Sequence, residues 1–296
     1  LGSYETVVVY KKEKQKATIH YVDVSANNKE LASDSVEGDS GANIDYSTAN
    51  KIQEFVDKGY KLVEDGFTKA TADEKKYDND ASVDQEFTVK LEHDKVPVGP
   101  NDPHNPTDPI NPNDPNSPKY PATDQWKKDV TSTVHYVGAG AQTPPDNVQN
   151  AQWTRTLELD KVTGEILNPN EPWVANKTDY ASVPTPNVTG YYADKASVPT
   201  KTVTQDNLEE TVTYKPLGSL VPKPETPNDP NFPSTPGVKY PNDPTDPTKP
   251  GQPVVPDVPG YEPHLPDPKD PTKPGQPIQP GTPVTPDKPG EDTPII

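Results

Sequence analysis

Thr18-Ile19-His20-Tyr21-Val22 and Thr133-Val134-His135-Tyr136-Val137 are two spellings of one strand, and their recurrence decides how this chain is divided. Apolar residues alternate in both: Ala17, Ile19 and Tyr21 in the first, and Val130, Val134 and Tyr136 in and just before the second. That period of two marks a strand with one face in a core. Each copy is followed by a Gly-Tyr pair, at Gly59-Tyr60 and Gly190-Tyr191. Two related modules, each opening on a strand, are therefore expected.

Residues 13–96 read outward from the first copy as a compact α+β domain. Val22 and Val24 extend the strand, and Asn27-Asn28 supplies a turn before Leu31. Ser47 is the expected N-cap of a helix with Ala49, Ile52, Phe55 and Val56 on one stripe, and Gly59 stands where a left-handed residue ends it. A strand through Tyr60 and Leu62 follows, and a last strand alternates through Val83, Gln85, Phe87, Val89 and Leu91. A mixed sheet crossed by one helix is a β-grasp pattern.

Residues 123–218 read as mainly β, with alternation at Trp153, Arg155, Leu157 and Leu159 and a hairpin turn over Asp160–Glu165 built on Gly164. Val198–Thr204 and Glu210–Lys215 are expected strands, with Pro184, Pro186 and Pro199 at edges or in loops. A further echo links Tyr4-Glu5-Thr6-Val7-Val8-Val9-Tyr10-Lys11 to Leu208-Glu209-Glu210-Thr211-Val212-Thr213-Tyr214-Lys215. Residues 1–12 are accordingly expected to be the end strand of a preceding repeat.

Proline separates these modules. None of the 41 prolines lies before residue 97, nine fall at every third residue from Pro97 to Pro121, and 24 lie in residues 222–296. A period of three matches polyproline II. Residues 97–122 are thus expected to be an extended proline-rich linker and 219–296 a proline-rich, wall-spanning spacer. Asn-Asp-Pro recurs at 101–103, 113–115, 228–230 and 242–244, and Pro-Thr-Lys-Pro-Gly-Gln-Pro at 247–253 and 271–277. The expected whole is two β-grasp-like (ubiquitin-like) domains in an elongated array, joined and followed by polyproline II segments.

The formal charge of −18, from 46 acidic and 28 basic residues, disfavours nucleic acid and direct membrane insertion, because phosphate backbones and anionic headgroups are repelled. With no cysteine, disulfides and thiolate zinc sites are unavailable. The five histidines, at 20, 93, 104, 135 and 264, lack metal-ligand spacing, and the carboxylates show no catalytic pairing. No enzyme is expected. Asp78, Asp80, Ser82 and Asp84 alternate like the start of a calcium loop, but Val83 stands where glycine is needed and no glutamate closes it. An acidic turn is the expected reading there, a structural calcium site the alternative.

The first module resembles a MucBP (mucin-binding protein) domain, in which Ile19-His20-Tyr21-Val22-Asp23, Gly59-Tyr60-Lys61-Leu62-Val63, Tyr77-Asp78-Asn79-Asp80 and Gln85-Glu86-Phe87-Thr88-Val89 occur in the family's order. The second is similar to the partner domain of long mucus-binding (Mub) repeats of lactobacilli. That likeness runs through Val134–Gly140, Trp153–Thr156, Asp160–Glu165 and Val188–Tyr191. The resemblance implies an extracellular adhesin that binds mucin glycoproteins and their glycans. It also implies anchoring to peptidoglycan through a motif, Leu-Pro-x-Thr-Gly, that is outside this sequence. Immunoglobulin binding through a sheet edge of the first domain, or a structural stalk, is the alternative.

Flat aromatic faces beside polar groups suit sugars, and Trp173, Tyr180, Tyr191 and Tyr192 are the candidates; Trp153, alternating with Leu157, is expected in the core. Arg155, the only arginine, suits a sialic acid or sulfate, although a cross-strand ion pair is the more ordinary expectation.

Overall fold

A computed structural model describes residues 2–296. The chain forms two compact units, Leu1–Lys128 with Thr154–Val174, and Asp129–Trp153 with Ala175–Ile296. Along the chain, β1 (Lys14–Asp23), β2 (Lys29–Asp39), α1 (Ala49–Asp57), β3 (Tyr60–Asp65), β4 (Gln85–His93) and β5 (Lys95–Val98) come first. Then follow β6 (Lys127–Val137), β7 (Asn147–Thr154), β8 (Leu157–Asp160), β9 (Val174–Ala175), β10 (Asp179–Tyr180) and β11 (Val183–Pro184). β12 (Tyr191–Ala193), β13 (Ser197–Val198), β14 (Lys201–Thr202) and β15 (Leu208–Pro216) come next. The last are β16 (Ser219–Pro222), β17 (Val238–Lys239), β18 (His264–Asp267), β19 (Asp270–Pro277) and β20 (Thr293–Ile295).

In the first unit β1 and β4 run parallel at the centre of a sheet ordered β2-β1-β4-β3. The alternation in β1 buries Ala17, Ile19 and Tyr21, that in β4 buries Phe87, Val89 and Leu91, and α1 adds Phe55 to the same core. Val83 lies before β4 and is 61% exposed, so the alternation begins later than its sequence suggests. Thr48, not Ser47, is the N-cap, and Ser47 Oγ instead accepts from the Ala49 N–H at 3.3 Å. Gly59 has φ +99°, and a side chain there would run into the carbonyl of Lys161.

Residues 97–122 are not a polyproline II rod. β5 pairs with β8, Pro109 bridges Lys119, and Val98, Ile110, Tyr120, Trp126, Leu157 and Leu159 form one buried cluster. The physical reason is the apolar residues set among the prolines. Each supplies enough burial to close a turn, and carboxylates such as Asp108, which accepts from Asn105 N–H at 3.1 Å, satisfy the turn backbone.

In the second unit the sheet order is β12-β15-β6-β7-β9, with β15 parallel to β6. It repeats the β1–β4 arrangement, and Val134, Tyr136, Val212 and Tyr214 are its core. Val198–Thr204 is broken into β13 and β14, because Pro199 cannot donate to a ladder.

Residues 219–296 likewise fold rather than extend. β16 pairs with β17 and β20, and Leu220, Tyr240, Val255 and Ile295 are buried together. Asn-Asp-Pro at 242–244 forms a turn in which Asp243 accepts from the Thr245 and Asp246 N–H groups. Residues 2–12, in contrast, form no strand: Tyr4, Val7, Val9 and Tyr10 are all at least three-quarters exposed. No helix among the described residues is long and apolar enough to cross a membrane.

Candidate functional site

Arg155 follows directly on β7, and the loop after β8 is what gives its guanidinium partners. Asn168 holds that loop: its Oδ1 accepts from Glu158 N–H at 2.8 Å and its Nδ2 donates to the Thr156 carbonyl at 3.1 Å. The carbonyls of Pro169 and Glu171 then converge on Arg155 Nη1, at 3.0 and 3.1 Å, while Nε donates to the Gln125 carbonyl at 2.8 Å. With these hydrogen bonds made, Arg155 Cζ lies over the Trp173 ring, 4.5 Å from its centre. Lys128 Nζ is 4.6 Å from the same ring.

The expected cross-strand ion pair of Arg155 is therefore replaced by an indole and three neutral carbonyls. These contacts leave the positive charge in place, and two cations share one half-buried tryptophan. Lys128 is a residue the sequence reading missed. The only signal for it is the Lys127-Lys128 doublet opening β6 in an otherwise acidic chain.

The other aromatic candidates are elsewhere. Tyr180 is 1% exposed and packs with Val130, Ala151 and Val203, so it is a core residue and not a binding face. Its position in β10, opposite Lys201 of β14, turns the ring inward. Tyr191 and Tyr192 lie on β12, half-buried. Tyr191 packs on the second unit's core, and Tyr192 joins the cluster of Leu217, Leu220 and Tyr240. Trp153 is half-buried beside Val130 and Tyr180 and donates Nε1–H to the Thr204 carbonyl at 2.8 Å.

The two equivalent histidines occupy equivalent settings. His20 lies between Glu30, at 2.5 Å, and Glu86, at 3.3 Å; His135 lies between Asp146, at 3.0 Å, and Glu209, at 3.5 Å. The Glu30 and Glu86 carboxylates raise the proton affinity of His20 above the ordinary histidine value, against a smaller opposing effect of burial. In the 78–84 turn, Asp80 Oδ1 accepts from both the N–H and the hydroxyl of Ser82, which is the work of a turn residue. Among the described residues no three or more His, Asp or Glu side chains are placed to hold a metal ion.

Comparison with known families matches a mucin binding domain to residues 15–93 and a Muc B2-like domain to residues 121–218. Among solved structures, the chain is similar to the type 2 repeat of the mucus binding protein MUB from Lactobacillus reuteri. That likeness has 30% identity over 68% of this chain and 99% of the repeat, with a TM-score of 0.42. It is 28% identical to Mub-RV, over 68% of this chain and 98% of that one, with a TM-score of 0.47. It is 27% identical to the MucBP domain of an adhesion protein from Pediococcus pentosaceus, over 30% of this chain and 97% of that one, with a TM-score of 0.26. No curated protein matches.

Proposed function

This chain belongs to the mucin-binding repeat family, MucBP and Mub-type, and from that premise we propose that it is a non-catalytic adhesin segment. It binds host mucus glycoproteins outside the cell through the negative charges on their glycans. The observation that carries this reading is the pairing of Arg155 and Lys128 over Trp173. It places two cations at one half-buried indole in a chain of net charge −18. A sialic acid carboxylate or a sulfate is the matching group, with Trp173 lending an apolar face to the sugar ring.

Binding to intact mucin, to mucin stripped of sialic acid and sulfate, and to fully deglycosylated mucin tests it. Lys128→Gln, which leaves the carbonyl contacts of Arg155 intact, is expected to weaken binding to intact mucin about tenfold, the worth of one charge-assisted contact. Binding that survives removal of the acidic sugars, or is unchanged in Lys128→Gln at an unchanged melting temperature, overturns it.

A second reading rests on a different observation. β2 and β3 are both edge strands, and on β3 Leu62 and Val63 are 39% and 49% exposed, which suits addition of a strand from a host protein such as an immunoglobulin. Binding of an immunoglobulin that is insensitive to deglycosylation, and lost on Val63→Pro, would favour it.

A further inference from the structure

His93 ends β4 with its imidazole between two carboxylates. Nε2 lies 2.6 Å from Asp23 Oδ2, at the end of β1, and Nδ1 lies 2.6 Å from Asp160 Oδ2, at the end of β8. Asp23 and Asp160 are 3% and 8% exposed. Tyr60 of β3 presents its ring edge-on to the imidazole at 5.4 Å, and Ser25 Oγ accepts from the His93 N–H at 3.0 Å. Beside the ring, Asp94 faces Lys161 at 3.8 Å. The charged and titratable groups around His93 are thus two buried aspartates, one tyrosine and that Asp94–Lys161 pair.

With both carboxylates ionised, only one protonation state of the ring fits this geometry. An imidazolium has two N–H donors, one for each aspartate, whereas a neutral ring must turn a lone pair toward one of them. Because Asp23 and Asp160 are drawn out of water, that mismatch is not relieved by solvent. His20 and His135 show the same arrangement in the open, with side chains 27% and 36% exposed against 16% for His93, and water can take either partner's place there.

The residues joined are far apart in the chain. Asp23 and His93 belong to the four-stranded sheet, and Asp160 to the layer formed by β5, β8 and the Ile110–Tyr120 turn region. That layer meets the sheet again where Lys161 N–H donates to the Asp94 carbonyl at 2.8 Å. We propose that His93 is a proton-operated rivet fastening this layer to the first sheet, closed while the ring is charged and loosened when it is not.

The pH window follows from the signs. Burial works against a charged His93, but its hydrogen bonds to Asp160 and Asp23 prevail and raise its proton affinity above the ordinary value of 6.5. The contribution is therefore complete below 6.5 and lost as pH rises through the higher folded value. For Asp160, burial works against the carboxylate, but His93 and the N–H groups of Thr163 and Val162 hold it below the ordinary 3.8, so its share is lost only as pH falls through that lower value. The rivet is closed in mild acid and opens toward alkaline pH.

Hydrogen exchange of the whole chain at pH 5.5 and 8.5, corrected for the intrinsic pH dependence of exchange, reads the opening directly. Amides of β5 and of the Asp160–Gly164 turn are expected to lose about tenfold in protection at the higher pH, the order expected when one charge-assisted hydrogen bond is lost, while those at the centre of β1 keep theirs. In His93→Gln the two pH values should give the same protection in β5. Equal pH sensitivity in wild type and His93→Gln overturns the proposal. The Cε1–H resonance of His93 in the unmutated chain decides it even if the variant does not fold: a titration midpoint above 6.5 supports the rivet, and one at or below 6.5 overturns it.

Discussion

The side-chain amide of Asn242 donates to the backbone carbonyl of Tyr191 at 3.0 Å, across 51 residues of sequence. The same amide reaches the Val188 carbonyl at 2.8 Å, and its oxygen accepts from Gly190 N–H at 2.9 Å. One asparagine of the proline-rich tail thus satisfies three backbone groups of the loop that leads into β12.

Asn242→Ala leaves those groups unpaired in a half-buried place and is expected to destabilise the second unit by about 1–3 kcal/mol, measured by denaturant or thermal melting. Asn101 opens the same Asn-Asp-Pro triplet but is exposed, so Asn101→Ala is expected to change stability by less than about 0.5 kcal/mol. Equal effects at both positions would show that the tail does not brace the domain.

Ile110 separates a packed 97–122 segment from a free rod. It is 4% exposed beside Val98, Tyr120 and Leu157, and Ile110→Ala should cost about 2–4 kcal/mol of stability in the first unit. A melting curve superimposable on that of the parent chain would return this segment to the extended linker that its proline spacing suggests.

Asp65 sets the acid limit of the first sheet. Its Oδ1 accepts from the N–H groups of Phe67 and Thr68 at 3.1 and 3.0 Å, and its Oδ2 from the Thr48 and Thr68 hydroxyls at 2.5 and 2.7 Å. Burial disfavours its charge, but these four donors outweigh that and hold the carboxyl below its usual range. A depressed folded value means stability present above the ordinary value of 3.8 and lost as pH falls through the folded one. Asp65→Asn should lower stability at pH 7 by about 1–3 kcal/mol and flatten its decline below pH 4. Parallel acid-melting profiles for the two proteins would assign the acid limit to other carboxylates.

What was legible in the sequence was local. The alternation in β1, β4 and β6, the left-handed Gly59 and the Asp160–Gly164 turn all rest on neighbours a few residues away, and all are found. What was not legible depends on partners far along the chain. Proline at every third residue fits a rod, and only the burial of Ile110 against Leu157, 47 residues later, selects turns instead. Tyr180 is a candidate sugar-binding face in the sequence until β10 meets β14 and the ring is buried. Arg155 draws its ring partner from position 173 and its carbonyls from 125, 169 and 171, none of which shows in the period-two pattern of the sequence around it. The partners of His93 lie 70 and 67 residues away.

The β18–β19 hairpin carries Pro266 on one strand and Pro271, Pro274 and Pro277 on the other. A proline has no N–H to offer a newcomer, so a ladder written this way cannot be continued by a strand from outside. Sheets that stop themselves can be crowded together without fusing edge to edge. The β18–β19 ladder therefore stays two-stranded even where many copies of the chain are held side by side at high local density.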